Sequence, residues 1–62
     1  MNSDLLMALM VSKESFERLS GKQPLVLVCS QELSNEIGTD TIFGCPIEVD
    51  ENLFGINDYF WM

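Results

Sequence analysis

The stretch Leu25-Val26-Leu27-Val28-Cys29, which follows Pro24, is the clearest structural signal in the sequence. Five consecutive apolar side chains, two of them β-branched valines, predict a strand that is covered on both faces. Proline is tolerated as the first residue of a strand, where its missing N–H is not needed. The segments before and after this strand must therefore supply its cover.

The segment before the strand is predicted to be a helix over residues 3–20. Asn2 or Ser3 can cap its first turn, and Asp4 lies where the helix dipole favours an anion. One stripe repeats at spacings of four and three residues: Leu5, Leu9, Ser12, Phe16 and Leu19. A second short helix capped by Ser12 is the alternative. Gly21 ends the helical pattern.

The segment after the strand is predicted to begin with a short helix. Ser30 is the expected N-cap, Leu33 and Ile37 face inward at a spacing of four, and Gly38 ends the helix.

Three short strands are predicted to complete the chain, at residues 41–43, 47–50 and 58–62, with a bend at 44–46. The order is then α-β-α-β-β-β. This order predicts an α+β fold in which the N-terminal helix packs on a small sheet, with residues 1–62 forming a single domain.

A chain of 62 residues buries only a modest core, and domains of this size usually gain stability from a disulfide, a metal or a second subunit. Cys29 and Cys45 are the two cysteines. No leader pattern precedes them, because the apolar run Leu5–Val11 lacks a basic flank and a cleavage site, so two free thiols in a reducing cytosol are expected. Self-association is therefore the expected source of additional stability.

The chain is strongly acidic: it has ten acidic and three basic residues, which gives a net charge of −7. From residue 23 onward there are no bases and seven acids, namely Glu32, Glu36, Asp40, Glu48, Asp50, Glu51 and Asp58. Contacts to phosphate need lysine or arginine, so neither nucleic acid nor an anionic membrane is an expected direct partner. A basic protein is the predicted partner, and the seven acids are the predicted partner-binding residues.

No catalytic constellation is predicted. The chain has no histidine, which removes Ser-His-Asp and Cys-His sites and all histidine metal sites. Residues 50–61 resemble a calcium loop at some positions, but Phe54 and Trp61 stand at the fifth and twelfth, where ligands are required. We therefore expect a protein that is not an enzyme and that uses no cofactor and no metal.

Two segments are too apolar for a small protein surface. The first turns of the helix are apolar on all sides, and the aromatic run 59–61 contains residue types that dominate binding hot spots. The predicted self-association residues are Leu5, Leu6, Met7, Leu9, Met10, Val11, Tyr59, Phe60 and Trp61. Burial of the final strand in the protomer's own core is the alternative.

In the segment Val26–Val49 a strand leads through Ser30 into a short helix, followed by Thr41-Ile42-Phe43-Gly44-Cys45-Pro46-Ile47-Glu48-Val49. This segment is similar to a hairpin-containing segment near the end of many major capsid proteins of tailed phages. The chain is too short to be a capsid subunit. The resemblance implies a phage or prophage origin, and very short acidic phage proteins are often non-enzymatic inhibitors of host machinery, including anti-phage defence complexes.

Together these observations predict a protein of the host-cell cytosol that acts as a homo-oligomer, most simply a homodimer. Its acids are expected to bind a basic, nucleic-acid-handling host protein and to inhibit it, in one form as a nucleic-acid mimic. The alternative is a structural or assembly protein, such as a minor virion component or an oligomerisation module. An acidic surface can also serve solubility alone.

Overall fold

The computed structural model describes residues 2–62, and it confirms the α+β fold and the predicted order of elements. The helices and strands are α1 (Ser3–Ser20), β1 (Leu27–Cys29), α2 (Gln31–Ile37), β2 (Thr41–Ile42), β3 (Cys45–Val49) and β4 (Tyr59–Trp61).

Helix α1 is capped at both ends by the residue types that its sequence predicts. The side chain of Asn2 accepts a hydrogen bond from the Leu5 N–H at 2.8 Å. Gly21 adopts a left-handed conformation (φ 74°) and its N–H donates to the Glu17 carbonyl. The helix runs without a break through Ser12, so a second helix does not start there. Neither α1 nor α2 is long and apolar enough to cross a membrane.

The four strands form one mixed sheet in the order β2-β3-β1-β4. Strand β1 pairs in parallel with β3 and antiparallel with β4, while β2 and β3 form an antiparallel hairpin. All three residues of β1 are buried, as the apolar run predicts. The strand starts at Leu27 and not at Leu25, because the N–H groups of Leu25 and Val26 both converge on the carbonyl of Met62, and Leu25 is 80% exposed.

The β2–β3 turn lies one residue earlier than the predicted bend. Ile42 and Cys45 are register partners, so Phe43 and Gly44 form a two-residue loop. Both have positive φ angles, 50° and 80°, as a type I′ turn requires. Cys45 and Pro46 therefore belong to β3.

The core lies between the helices and one face of the sheet. Its members come from both helices and all four strands: Leu5, Leu9, Leu27, Cys29, Leu33, Ile37, Ile42, Cys45 and Trp61. Since side chains alternate along a strand, Val28 and its register partners Glu48 and Phe60 project from the other side. We call this side the helix-free face.

Candidate protein-binding groove

An open groove of about 450 Å³ lies on the helix-free face. Its walls come from the sheet and the turn after β3: Val28, Glu48, Val49, Asp50, Glu51, Asn52, Phe60 and Met62. Neither helix contributes a side chain to it, so the groove and the core occupy opposite sides of the sheet.

The floor of the groove is apolar. Val28 lies in the middle strand and is only 5% exposed, although no helix covers it. It is shielded from both sides by its register partners Glu48 and Phe60. Phe60 and Met62 are themselves exposed and form one wall. Val28 itself is almost fully buried, so the apolar surface that a second molecule can bury comes from the exposed side chains of Phe60, Met62 and Val49.

Three carboxylates surround this floor. Glu48 is exposed on β3, and Asp50 and Glu51 follow in the turn. The Asp50 side chain is held in place because its Oδ1 accepts a hydrogen bond from the Asn52 N–H at 2.9 Å. No lysine or arginine follows Lys22 in the chain, and the ion pair found among residues 2–62 lies within α1, between Lys13 and Glu17. The charges of the three groove carboxylates are therefore not neutralised by an ion pair in the described part of the chain.

The other predicted partner-binding acids do not join this group. Glu32 and Glu36 are exposed on α2, on the side of the sheet that carries the helices. Asp40 is exposed in the loop before β2. Asp58 uses its Oδ2 to accept a hydrogen bond from the Phe54 N–H at 3.1 Å. The seven acids thus do not form one continuous surface, because the sheet separates Glu48 from the acids of α2.

The predicted self-association residues also divide into two groups. Leu5, Leu9 and Trp61 lie in the protomer's own core, with Tyr59 packed against it. They do not belong to an exposed surface, because the sheet and helices already cover them. The remaining five side chains are exposed: Leu6, Met7, Met10, Val11 and Phe60. Phe60 lies in the groove, whereas the other four lie on α1.

The polar groups of the calcium-like segment are engaged in local turns. Asp50 and Asp58 accept hydrogen bonds from backbone N–H groups two and four residues away. Among residues 2–62, no group of three or more acids or cysteines is arranged to hold a metal ion.

Ser30 and the two cysteines have structural roles. The Ser30 hydroxyl accepts a hydrogen bond from the Leu33 N–H at 3.1 Å and donates one to the Gly55 carbonyl at 2.6 Å. Cys29 and Cys45 are free and buried. Burial raises the pKa of the Cys29 thiol, which keeps it protonated and unreactive at neutral pH.

Val28 and Val49 are groove residues that no pattern in the sequence assigns to a binding surface. A run of apolar residues predicts burial on both faces of β1, but it does not tell which face a helix covers. The only signal is indirect: the acids flanking Val49 in β3 predict one polar face, and Val28 lies beside one of them.

No protein-family model, no curated protein and no solved structure matches this chain. The groove, its charge and the exposed apolar residues are therefore the basis for assigning a function.

Proposed function

We propose that this chain is a non-enzymatic protein-binding module whose groove on the helix-free face takes a basic segment of a partner protein. The observation that carries the proposal is that one groove combines the exposed apolar side chains of Phe60 and Met62 with the carboxylates of Glu48, Asp50 and Glu51. The negative charge of the chain alone does not support the proposal, because all the other acids lie outside the groove.

The groove chemistry favours a segment that combines a cationic and an apolar side chain. A lysine or arginine can lay its methylene stem along the floor and bring its charged end to Glu48. Phe60, exposed beside the floor, adds a face for a cation–π contact. An apolar neighbour in the same segment can bury Met62. A purely cationic chain would leave this apolar surface uncovered.

The partner proposed for this groove is a basic, nucleic-acid-handling host protein, which the chain inhibits by occupying its basic surface. The phage origin that underlies this choice rests on the resemblance of residues 26–49 to the capsid segment. Direct mimicry of a nucleic acid receives less support, because a mimic needs a continuous line of negative charge and the sheet separates Glu48 from Glu32 and Glu36.

The groove can be tested with a synthetic peptide of alternating arginine and leucine, titrated into the ¹⁵N-labelled protein. We expect chemical shift changes centred on Val28, Glu48 and Phe60, and binding that weakens as salt is raised. Glu48→Gln should weaken binding about 5- to 30-fold, as expected for loss of one charge-assisted contact.

Glu32→Gln is the matched control, because it makes the same change in net charge on α2. If Glu32→Gln weakens binding as much as Glu48→Gln does, the attraction comes from the overall charge and the groove proposal fails. Shift changes centred on α2 would lead to the same conclusion.

A second candidate function is a structural or assembly module, and the exposed apolar residues of α1 favour it. Fractionation of infected cells distinguishes the two. A structural protein copurifies with assembled particles, whereas an inhibitor copurifies with a soluble host protein in an amount that falls with Glu48→Gln.

A further inference from the structure

Helix α1 carries two opposite apolar stripes. The inner stripe, represented by Leu5 and Leu9, is buried against the sheet. The outer stripe consists of Leu6, Met7, Met10 and Val11, which are all exposed, Met7 to 60% and Val11 to 54%. At 100° per residue the centres of the two stripes lie about 150° apart around the helix, and Leu6 is the outer residue nearest the inner stripe. The outer stripe therefore points away from the rest of the protomer.

We infer that the outer stripe is covered by the same stripe of a second copy, with the two α1 helices antiparallel across a two-fold axis. This inference does not depend on the groove. A two-fold interface uses one patch twice, and a single helix with an exposed apolar stripe supplies such a patch. The exposed apolar surface of these four side chains is close to about a few hundred Å², and monomeric proteins rarely expose a larger contiguous apolar patch.

The position of Glu14 favours the antiparallel arrangement over the parallel one. Glu14 is exposed and lies one turn beyond Met10, in line with the outer stripe. In a parallel pair, the two Glu14 carboxylates would face each other. In an antiparallel pair centred between Ala8 and Leu9, Met7 lies level with Met10 of the partner subunit. Glu14 then lies level with Ser3 of the partner subunit, in the first turn of a helix, where the helix dipole offsets part of the repulsion from the exposed Asp4 in that turn.

The geometry also sets the strength and the consequence of the pairing. One stripe on each copy is smaller than the roughly 800 Å² per partner of a standard interface, so we expect a dimer that dissociates at micromolar concentrations. Because the outer stripe and the groove lie on opposite sides of the protomer, the dimer leaves both grooves open and facing apart. This last consequence, unlike the pairing itself, rests on the proposed groove function: such a dimer binds two partner segments at once.

Sedimentation equilibrium of the full chain tests the pairing. Wild type is expected to shift from monomer to dimer as concentration rises, and Met7→Glu and Val11→Glu are each expected to weaken the dimer at least tenfold. Leu19→Glu is the matched control, since Leu19 is 88% exposed on the same helix but lies off the stripe. If the wild type stays monomeric up to about 1 mM, its affinity for a second copy is negligible and the inference is overturned. An equal loss of dimer affinity in Leu19→Glu overturns the inference as well, because the repulsion between added negative charges would then explain the effect of all three variants.

Cysteine cross-linking tests the orientation. Ser3→Cys and Glu14→Cys are mixed and oxidised; the native Cys29 and Cys45 are buried and do not compete. The antiparallel pair is expected to give disulfides between the two different variants and few within either one. Cross-links that form mainly within each single variant overturn the antiparallel arrangement.

Discussion

The indole N–H of Trp61 donates a hydrogen bond to the hydroxyl of Ser12 at 2.9 Å, joining β4 to the middle of α1. The same hydroxyl donates to the Leu9 carbonyl at 2.8 Å. Trp61 is a core residue, so its N–H is removed from water and needs this acceptor. The contact fixes the first helix against the last strand, 49 residues away in sequence.

Ser12→Ala is expected to lower the free energy of unfolding by about 1–3 kcal/mol, because it leaves the Trp61 N–H buried without an acceptor. Urea unfolding followed by the fluorescence of Trp61, the only tryptophan, measures this change. Ser15→Ala makes the same substitution in α1 outside this hydrogen bond and should be neutral or slightly stabilising. Equal effects of the two variants would contradict the assigned role of Ser12.

Ser30→Ala is expected to cost about 2 kcal/mol, because one hydroxyl both caps α2 and satisfies the Gly55 carbonyl. Thermal unfolding by circular dichroism measures the loss. Ser34→Ala, within α2, is the control and should have little effect. A Ser30→Ala variant as stable as Ser34→Ala would show that the loop after β3 is held by other contacts.

Phe43→Asn is expected to stabilise the protein by about 1 kcal/mol, because a bulky residue is strained at positive φ whereas asparagine tolerates it. Gly44→Ala is expected to cost about 1 kcal/mol for the same reason. A Cβ at Gly44 meets no atom within 4 Å, so that cost comes from the backbone alone. Chemical denaturation of both variants is the measurement. Destabilisation by Phe43→Asn would mean that the packing of the phenyl ring outweighs its backbone strain.

The stability of the protein is expected to fall in alkaline solution because of Cys29. Burial raises the pKa of its thiol in the folded state. Above about pH 8.5 the unfolded chain releases this proton while the folded chain keeps it, so folding becomes less favourable by up to about 1.4 kcal/mol per pH unit. Unfolding midpoints measured from neutral to alkaline pH should decline less steeply in Cys29→Ala. Identical slopes in the two proteins would exclude Cys29 as the titrating group.

The order and ends of the helices follow from local chemistry and could be predicted. Ser30 and Gly38 define α2 because capping depends only on neighbouring backbone groups. Strand β3 is harder to predict from the sequence, because a proline at the second position of an inner strand argues against assigning a strand there. Pro46 is tolerated because pairing with β1 starts only at Ile47.

The turn and the groove could not be predicted, for two different reasons. Phenylalanine is rare at positive φ, so Phe43 gives no turn signal and the sequence favours a bend that starts one residue later, at Gly44. The groove depends on which face of β1 the helices cover, and this is decided by the crossing of α1 and α2 over the sheet. Val28 and Leu27 are both apolar neighbours, yet one lines the groove and the other the core.

The sheet order carries a consequence for synthesis of the chain on the ribosome. Strand β1 gains both of its neighbours, β3 and β4, from polypeptide that is translated after it. Its first neighbour arrives with Ile47 and its second with Tyr59–Trp61, so α1 and β1 leave the ribosome before any sheet exists to cover them. Strand β1 is therefore paired on both of its edges only after Tyr59–Trp61 has left the ribosome, and the core that it shares with α1 cannot be completed earlier.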